Sequence, residues 1–305
     1  MWIFLAFVSA VLLGFYDFSK KQALKDNAVL PVLFLNTLFC SFFMLPFIVG
    51  SAAGQISADS QFYVEAGGWE MHGPILLKSF IVLGSWLLGY LALKHLPLTI
   101  VGPINATRPV MTLVGAMLIF GERLNAWQWA GVALAVLSFY LLSRSGKKEG
   151  IRFSHNRWIY FIVGAAVLGC VSGLYDKHLM ASPEEGGLGL GRMAVQGWYN
   201  LYQCATMAVM LCLMWLPVRR HTAPFRWRSS IFFISVFLTL ADWAYFYALS
   251  MPGAMISIVS MVRRGSVLIS FLCGALLLHE KNLKAKAFDL LLVLLGLIFL
   301  WLGSA

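Results

Sequence analysis

Long stretches of apolar residues alternate with short polar connections along the whole chain. Most stretches approach the roughly 18 residues that a helix needs to cross a bilayer core of about 30 Å. Because lipid offers no hydrogen bonds to the backbone, apolar runs of this length predict transmembrane helices. The predicted spans are residues 2–19, 28–50, 75–93, 97–120, 126–143, 158–176, 192–217, 230–249, 252–278 and 286–303.

The two halves of the chain resemble each other at polar as well as apolar positions. Residues 11–21 align with 167–177, and residues 90–108 align with 245–263. Five spans per half is an odd number, so the second half is expected to be inverted in the membrane, as in many secondary transporters. The pattern predicts an all-α membrane protein with ten transmembrane helices in two inverted five-helix repeats. The predicted parts are residues 1–145, a cytoplasmic connector at 146–157, and residues 158–305.

Composition and charge agree with a membrane protein. Apolar and aromatic residues make up 60% of the chain and charged residues only 12%, whereas a soluble domain carries about 25%. The net charge is +10, but sixteen Lys and Arg fall in odd-numbered loops and four in even-numbered ones. The positive-inside rule therefore places the odd-numbered loops in the cytoplasm, and it explains the charge without a nucleic-acid partner. The longest connection, residues 51–73, is either a lid or a solvated connector, and we favour the connector.

Three arginines near the middle of predicted spans are the main candidates for chemistry: Arg108 in the fourth span, and Arg263 and Arg264 in the ninth. An Arg at the centre of a membrane helix costs on the order of 2.5–3.5 kcal/mol, so each needs a partner or water. Guanidinium groups bind carboxylates and phosphates in a bidentate manner. The three side chains therefore either hold an anionic substrate or form ion pairs within the protein.

Three aspartates are the possible internal partners of these arginines. Asp242, in the middle of the eighth span, is either a counter-ion for an Arg or a proton-coupling carboxylate. Asp17 and Asp176 lie near span ends, where we expect them to be solvated. The histidines and cysteines show no metal-ligand or disulfide spacing, so no cofactor or metal is expected.

Polar and aromatic side chains also form faces on several predicted spans. Such faces avoid lipid, and they either line a hydrated pocket or form hydrogen bonds between helices. The aromatic members either stack on a substrate or pack in the core. The candidates are Gln196, Tyr199, Asn200 and Gln203 in the seventh span, Asn105 in the fourth, Ser260 in the ninth, Trp86 and Tyr90 in the third, and Tyr245 in the eighth.

A family resemblance rests on residues 109–134. They contain a Pro in the fourth span, the turn Gly121-Glu122-Arg123-Leu124, and then Gln128 and Gly131 at the start of the fifth span. This pattern resembles the EamA-type repeat. With ten spans in two copies, the chain is similar to the drug/metabolite transporter superfamily over essentially its whole length. The second copy departs from the pattern, because Arg264-Gly265-Ser266 replaces the Pro region.

A second, local resemblance concerns the adjacent basic pair in the ninth span. Residues 261–266 resemble the plastid triose-phosphate translocators, in which basic residues at this point hold phosphate. The two resemblances together imply a secondary active transporter, and not an enzyme. It would move a small polar organic metabolite across the cytoplasmic membrane by alternating access through a central pocket.

The substrate class stays open between alternatives. The arginines favour an anion, either a phosphorylated or a carboxylated metabolite. The alternative is a proton-coupled exporter of amino acids or other small metabolites, in which one Arg meets the α-carboxylate and Asp242 the amine. A membrane-embedded transferase acting on a lipid phosphate is a remote alternative, because no acid/base or metal constellation accompanies the arginines.

Partners and location follow from the same interpretation. We expect a small-molecule substrate, the lipid bilayer, and either protons or a counter-substrate as the driving partner. The expected location is the bacterial cytoplasmic (inner) membrane. Gly169 and Gly173 form a GxxxG motif, which is a weak signal for dimers and serves more often in packing within a chain, so we expect a monomer or a weak dimer.

Overall fold

The computed structural model describes residues 2–108, 110–111, 125–147, 155–180, 183–249, 251, 259, 262–277 and 283–303. This part of the chain is all-helical and contains ten α-helices of nine or more residues. A π-helical turn, Leu211–Trp215, extends the seventh helix. The helices are α1 (Trp2–Leu24), α2 (Val29–Ala52), α3 (Trp69–His95), α4 (Leu98–Ala106), α5 (Ala126–Lys147), α6 (Arg157–Met180), α7 (Arg192–Met210), α8 (Ser229–Leu249), α9 (Ser266–Leu276) and α10 (Leu283–Leu302).

Five of the described helices are long and apolar enough to cross a membrane: α1, α2, α3, α6 and α8. Apolar side chains on them point outward, as Phe4, Val49 and Phe233 show. A helix that exposes apolar groups on its outer face is suited to lipid contact. The predicted fourth and ninth spans are covered only by α4 and α9, and much of the remainder of these two spans lies outside the described residues.

Helices of the first half of the chain pack mainly against helices of the second half. The most extensive contacts are those of α1 with α8, α3 with α6, α2 with α7, and α5 with α10. A core of buried side chains, including Leu33, Tyr90 and Ile162, lies among these helices. Since lipid tails are as apolar as leucine, close packing and hydrogen bonds between helices hold such a bundle together.

The crossing of α1 and α9 depends on a glycine. A Cβ atom at Gly14 would lie 2.6 Å from Ile269 Cγ2 and 3.1 Å from the Ser266 carbonyl oxygen. The first distance is shorter than any normal non-bonded contact and the second is unusually short, because carbon atoms pack at about 3.5–4.0 Å. The absence of a side chain at Gly14 therefore allows the two helices to approach.

The connection between α2 and α3 packs against one end of the bundle. Val64 is 3% exposed, and the ring of Phe62 stacks between Phe47 and Trp243. The Trp198 indole N–H donates to the Glu65 carbonyl at 2.8 Å. The expectation of a plain solvated connector is therefore wrong for this part of the loop, which covers the ends of α2, α7 and α8 as a lid would.

Candidate functional site

Two ion pairs, one buried and one partly buried, join elements of the bundle. Lys78 in α3 contacts Asp176 in α6, and Arg263 contacts Asp242 in α8. The two pairs are linked by Tyr199, whose hydroxyl donates to Asp242 Oδ2 at 2.8 Å and whose ring centroid is 5.0 Å from Lys78 Nζ. We call Lys78, Asp176, Tyr199, Asp242 and Arg263 the charge network. In an apolar environment each pair offsets the desolvation of its two charges only while both partners are present.

Ser9 and Tyr245 complete the surroundings of Arg263. The Arg263 Nε donates to Ser9 Oγ at 3.1 Å, and Ser9 in turn donates to the Ala241 carbonyl at 2.7 Å. The guanidinium carbon of Arg263 lies 4.2 Å from the Tyr245 ring centroid. An ion pair, a hydroxyl and an aromatic face therefore hold this guanidinium in one orientation.

The ion pairs of the structure correct two sequence expectations. Asp176 is buried and paired with Lys78, so the prediction that it is solvated is wrong. Asp17 is partly buried and forms an ion pair with Lys20, with 2.7 Å between Asp17 Oδ1 and Lys20 Nζ. The loop counts from the sequence include Lys20 and Lys78, but both are buried side chains within helices.

Lys78 and Asp176 are functional candidates that the sequence reasoning missed. The predicted third span begins at residue 75, whereas α3 begins at Trp69 and carries Glu70 in its first turn. A Trp at the membrane interface and an acidic residue near a helix N-terminus are both signals of an earlier start. With that start, Lys78 falls more than two turns inside the helix rather than near its end.

Arg264 differs from its neighbour. Among the described residues it has no carboxylate within ion-pair distance, and Arg108 and Arg263 are cations close enough to interact with it. Residues 262–264 form one helical turn, and Gly265 separates them from α9. Because adjacent helical residues point about 100° apart, Arg263 faces Asp242 while Arg264 takes a different direction.

Arg108 lies two residues beyond the end of α4 and packs against α6. Its Nη2 donates to Asn105 Oδ1 at 2.9 Å, and the Cys170 thiol lies 3.1 Å from the Arg108 carbonyl oxygen. A Cβ atom at Gly169 would lie 2.7 Å from the Arg108 guanidinium carbon, so Gly169 makes room for this side chain. Arg108, Arg263 and Arg264 lie close enough to interact electrostatically, with Asn105 as a polar neighbour of Arg108.

The polar face of α7 is buried, as the i, i+3, i+4, i+7 spacing predicts. Gln196 Nε2 is 3.4 Å from the Thr239 carbonyl of α8, and Ser41 of α2 donates to the Asn200 carbonyl at 2.8 Å. Within the described part of the chain the side-chain amide of Gln203 has no hydrogen-bond partner. The face therefore points toward α2 and α8, and Tyr199 alone among its four residues joins the charge network.

The remaining candidates are divided between the site and the core. Tyr245 packs beneath Arg263, whereas Tyr90 is 1% exposed and lies in the main core with Trp86 against it. The Tyr90 ring is 5.2 Å from Lys20 Nζ, at the ion pair within α1. Ser260 lies outside the described residues. In the part of the chain that the structure describes, no group of three or more His, Cys, Asp or Glu could hold a metal ion.

Comparison with known proteins gives a family match to the first half of the chain. Residues 1–144 match the model of the EamA-like transporter family. An uncharacterized transporter of Pseudomonas aeruginosa is 30% identical over 138 residues, which is 43% of this chain and 44% of that protein. The probable 4-amino-4-deoxy-L-arabinose-phosphoundecaprenol flippase subunit ArnE of Pectobacterium atrosepticum is 37% identical over 75 residues, 25% of this chain and 62% of that subunit. The chain therefore matches about half of the length of these relatives.

A solved structure, described only as "Crystal structure of protein", supports the fold of the whole chain. It superposes with a TM-score of 0.61 over 100% of this chain and 99% of its own. The sequence identity is 15%, so this likeness concerns the fold alone. Together with the five apolar helices, the family match identifies an integral membrane protein. Through residues 1–144 the chain is similar to the EamA-like transporter family.

Proposed function

We propose that the protein is a secondary active transporter that moves a small polar anion, a phosphorylated or carboxylated metabolite, by alternating access through a central pocket. The observation that carries the proposal is Arg264, a partly buried guanidinium with no carboxylate partner among the described residues. A cation in this position is costly unless water or a ligand compensates it. An anionic substrate would supply that compensation during part of the transport cycle.

The proposed transporter has ten transmembrane helices in two inverted repeats, residues 1–145 and 158–305, joined by a cytoplasmic connector at 146–157. The pattern of helix contacts supports a two-fold relation between the repeats. In a two-fold relation, α1 to α5 correspond to α6 to α10. The contact of α1 with α8 then corresponds to the contact of α6 with α3. In the same way, the contact of α2 with α8 corresponds to the contact of α7 with α3. Five spans per repeat would make the relation an inverted one.

The proposed binding site centres on Arg264, with Arg108 and Arg263 beside it. Arg263 and Asp242 compensate each other, so Arg263 would orient the site and Arg264 would provide the net charge. Asn105 and Tyr245 lie in contact with these arginines, and we include Ser260 because it falls four residues before Arg264. The polar face of α7 consists of Gln196, Tyr199, Asn200 and Gln203. Of these four, we assign only Tyr199 to the site, where it holds Asp242 in place. We assign Trp86 and Tyr90 to packing.

The alternative of amino-acid export is less well supported by these contacts. It requires Asp242 to receive a substrate amine, yet both oxygens of Asp242 are engaged, one by Arg263 and the other by Tyr199. The name of the ArnE relative refers to a phosphate-linked lipid, which agrees with an anionic group as cargo. Asp176 and Asp242 are the buried carboxylates that would accept a proton if transport is proton-coupled.

Orientation in the membrane follows the positive-inside rule. Removing the buried Lys20 and Lys78 from the loop counts leaves fifteen basic residues in odd-numbered loops and three in even-numbered ones. This increases the asymmetry that places the odd-numbered loops in the cytoplasm. The bacterial relatives agree with a cytoplasmic (inner) membrane.

Counterflow in liposomes tests the proposed function. Purified protein is reconstituted, and exchange is measured for sugar phosphates, dicarboxylates and amino acids. We expect exchange of a phosphate or a carboxylate that falls about tenfold to hundredfold in Arg264→Gln, because a hydrogen bond to a charged group contributes about 1.5–3 kcal/mol. Arg219→Gln, which removes one charge from an exposed position, is the matched control. Exchange of amino acids only, unchanged in Arg264→Gln, would contradict the proposal.

A further inference from the structure

A cavity that none of the three arginines lines lies at the ends of α1, α3 and α8. Its volume is about 1130 Å³, and its lining comes mainly from the last turns of α1, the end of α3 and the first turns of α8. Pockets for ordinary small molecules measure about 300–1,000 Å³, so this cavity is large for a single metabolite. It lies at the end of the bundle that carries the basic, odd-numbered loops.

One part of this cavity is basic. Of the described residues that line it, four are cations, Lys21, Lys25, Lys94 and Arg228, and one is an acid, Asp26. Lys21 donates to the Leu93 carbonyl at 2.7 Å, and Arg228 donates to the Gln22 carbonyl at 2.9 Å.

Lys25 and Lys94 are placed differently from these two. Within the described residues their side chains make no hydrogen bond or ion pair, although both line the same cavity. Lys25 is exposed and Lys94 is partly exposed. These two ammonium groups are available to an anion.

The other part of the cavity is a wall of phenylalanines that continues onto the outer surface of the bundle. Phe15 lies 5.7 Å from Phe237, and Phe237 lies 6.0 Å from Phe233, measured between ring centroids. Phe15 is 40% exposed and Phe233 is 48% exposed. Phe233 lies four residues inside α8, about 6 Å from the start of that helix. Phe15 lies nine residues before the end of α1, about 13 Å from that end.

We propose that this cavity binds an anionic phospholipid of the leaflet that faces the basic loops. The phosphate would lie between Lys25 and Lys94, with Arg228 beside it, and an acyl chain would follow Phe233 and Phe15 into the bilayer. Basic pockets between membrane helices bind anionic headgroups in this way. The phenylalanine wall distinguishes a lipid from a water-soluble phosphate, because a soluble ligand would leave the exposed rings uncovered. The inference does not rest on the proposed transport function, since none of these residues belongs to the arginine site.

Native mass spectrometry of the purified protein in neutral detergent tests the proposal. Phosphatidylglycerol and phosphatidylcholine with identical acyl chains are titrated into the wild type and into Lys25→Gln/Lys94→Gln. Each basic residue near a membrane surface contributes about 1 kcal/mol to anionic-lipid binding, so the double variant is expected to bind phosphatidylglycerol about thirtyfold more weakly. Its binding of phosphatidylcholine is expected to stay the same.

Three controls separate this result from simpler explanations. Arg219→Gln/Arg220→Gln removes two exposed charges from outside the cavity and is expected to bind phosphatidylglycerol like the wild type. Phe233→Ala removes part of the wall but no charge, so it is expected to weaken both lipids alike. Glycerol 3-phosphate is expected not to displace the lipid.

Three outcomes would overturn the proposal. Equal binding of the two lipids by the wild type would remove the basis for headgroup recognition. An equal loss in both double variants would mean that net charge alone matters. Displacement of phosphatidylglycerol by glycerol 3-phosphate would assign the cavity to soluble phosphates.

Discussion

At the scale of single residues, the buried and partly buried cations differ in how their charge is compensated. Lys20, Lys78 and Arg263 each contact an aspartate, whereas Arg264 has no such partner among the described residues. A paired cation contributes to stability through its partner, and its removal leaves a buried carboxylate. Removal of the Arg264 side chain would not leave any carboxylate of the described residues without its ion-pair partner. The two kinds of position therefore respond differently to substitution.

Lys78→Met is expected to destabilise the protein. The substitution leaves Asp176 without its partner inside the bundle, and removing one partner of a buried ion pair costs about 3–5 kcal/mol. Thermal unfolding in detergent measures the loss. Lys78→Met/Asp176→Leu removes both charges and is expected to recover most of the lost stability. A double variant that melts as early as the single one would contradict this account of the pair.

At the scale of helices, two glycines allow close approach for different reasons. Gly14 faces the Ile269 side chain and the backbone of α9, which cannot move without separating the helices. Gly169 faces the end of the Arg108 side chain, which can rotate away. A methyl group at Gly14 is therefore expected to disturb helix packing. A methyl group at Gly169 is expected to displace the Arg108 side chain in the proposed site.

Gly14→Ala is expected to lower the free energy of unfolding by about 1–3 kcal/mol, as overpacking does in other tightly packed contacts. Gly173→Ala in α6 is the matched control, because nothing lies within 4 Å of a Cβ atom at that position. Thermal melting of the two variants side by side provides the comparison. Equal melting temperatures would show that α1 and α9 are not held at this distance.

Gly169→Ala is expected to weaken anion binding with little change in melting temperature. The added methyl group displaces the Arg108 guanidinium from its place against α6, and a flexible side chain can move at low cost. The apparent affinity for the anion that stabilises the wild type most strongly measures the effect, again with Gly173→Ala as the control. An unchanged affinity would place Arg108 outside the binding site.

At the scale of the whole molecule, the sequence indicates the helices better than it indicates their partners. The apolar runs and the spacing of the α7 face depend only on neighbours along one helix, so both are visible in the sequence. The Lys78–Asp176 pair joins residues 98 positions apart on two helices, and no periodicity reports such a contact. Likewise the packing of Phe62 between Phe47 and Trp243 depends on how the α2–α3 connection folds back onto the bundle.

The most direct test of the central claim is the change in melting temperature that anions produce. Wild type, Arg264→Gln and Arg219→Gln are heated in detergent with sugar phosphates, dicarboxylates or amino acids. A ligand at about a hundred times its Kd stabilises a folded protein by about 2.7 kcal/mol, which is a readily measured shift. We predict that anions stabilise the wild type and Arg219→Gln, and that Arg264→Gln melts near the wild type but shows no shift. Stabilisation by amino acids alone, together with an Arg264→Gln variant that melts early, would contradict the account.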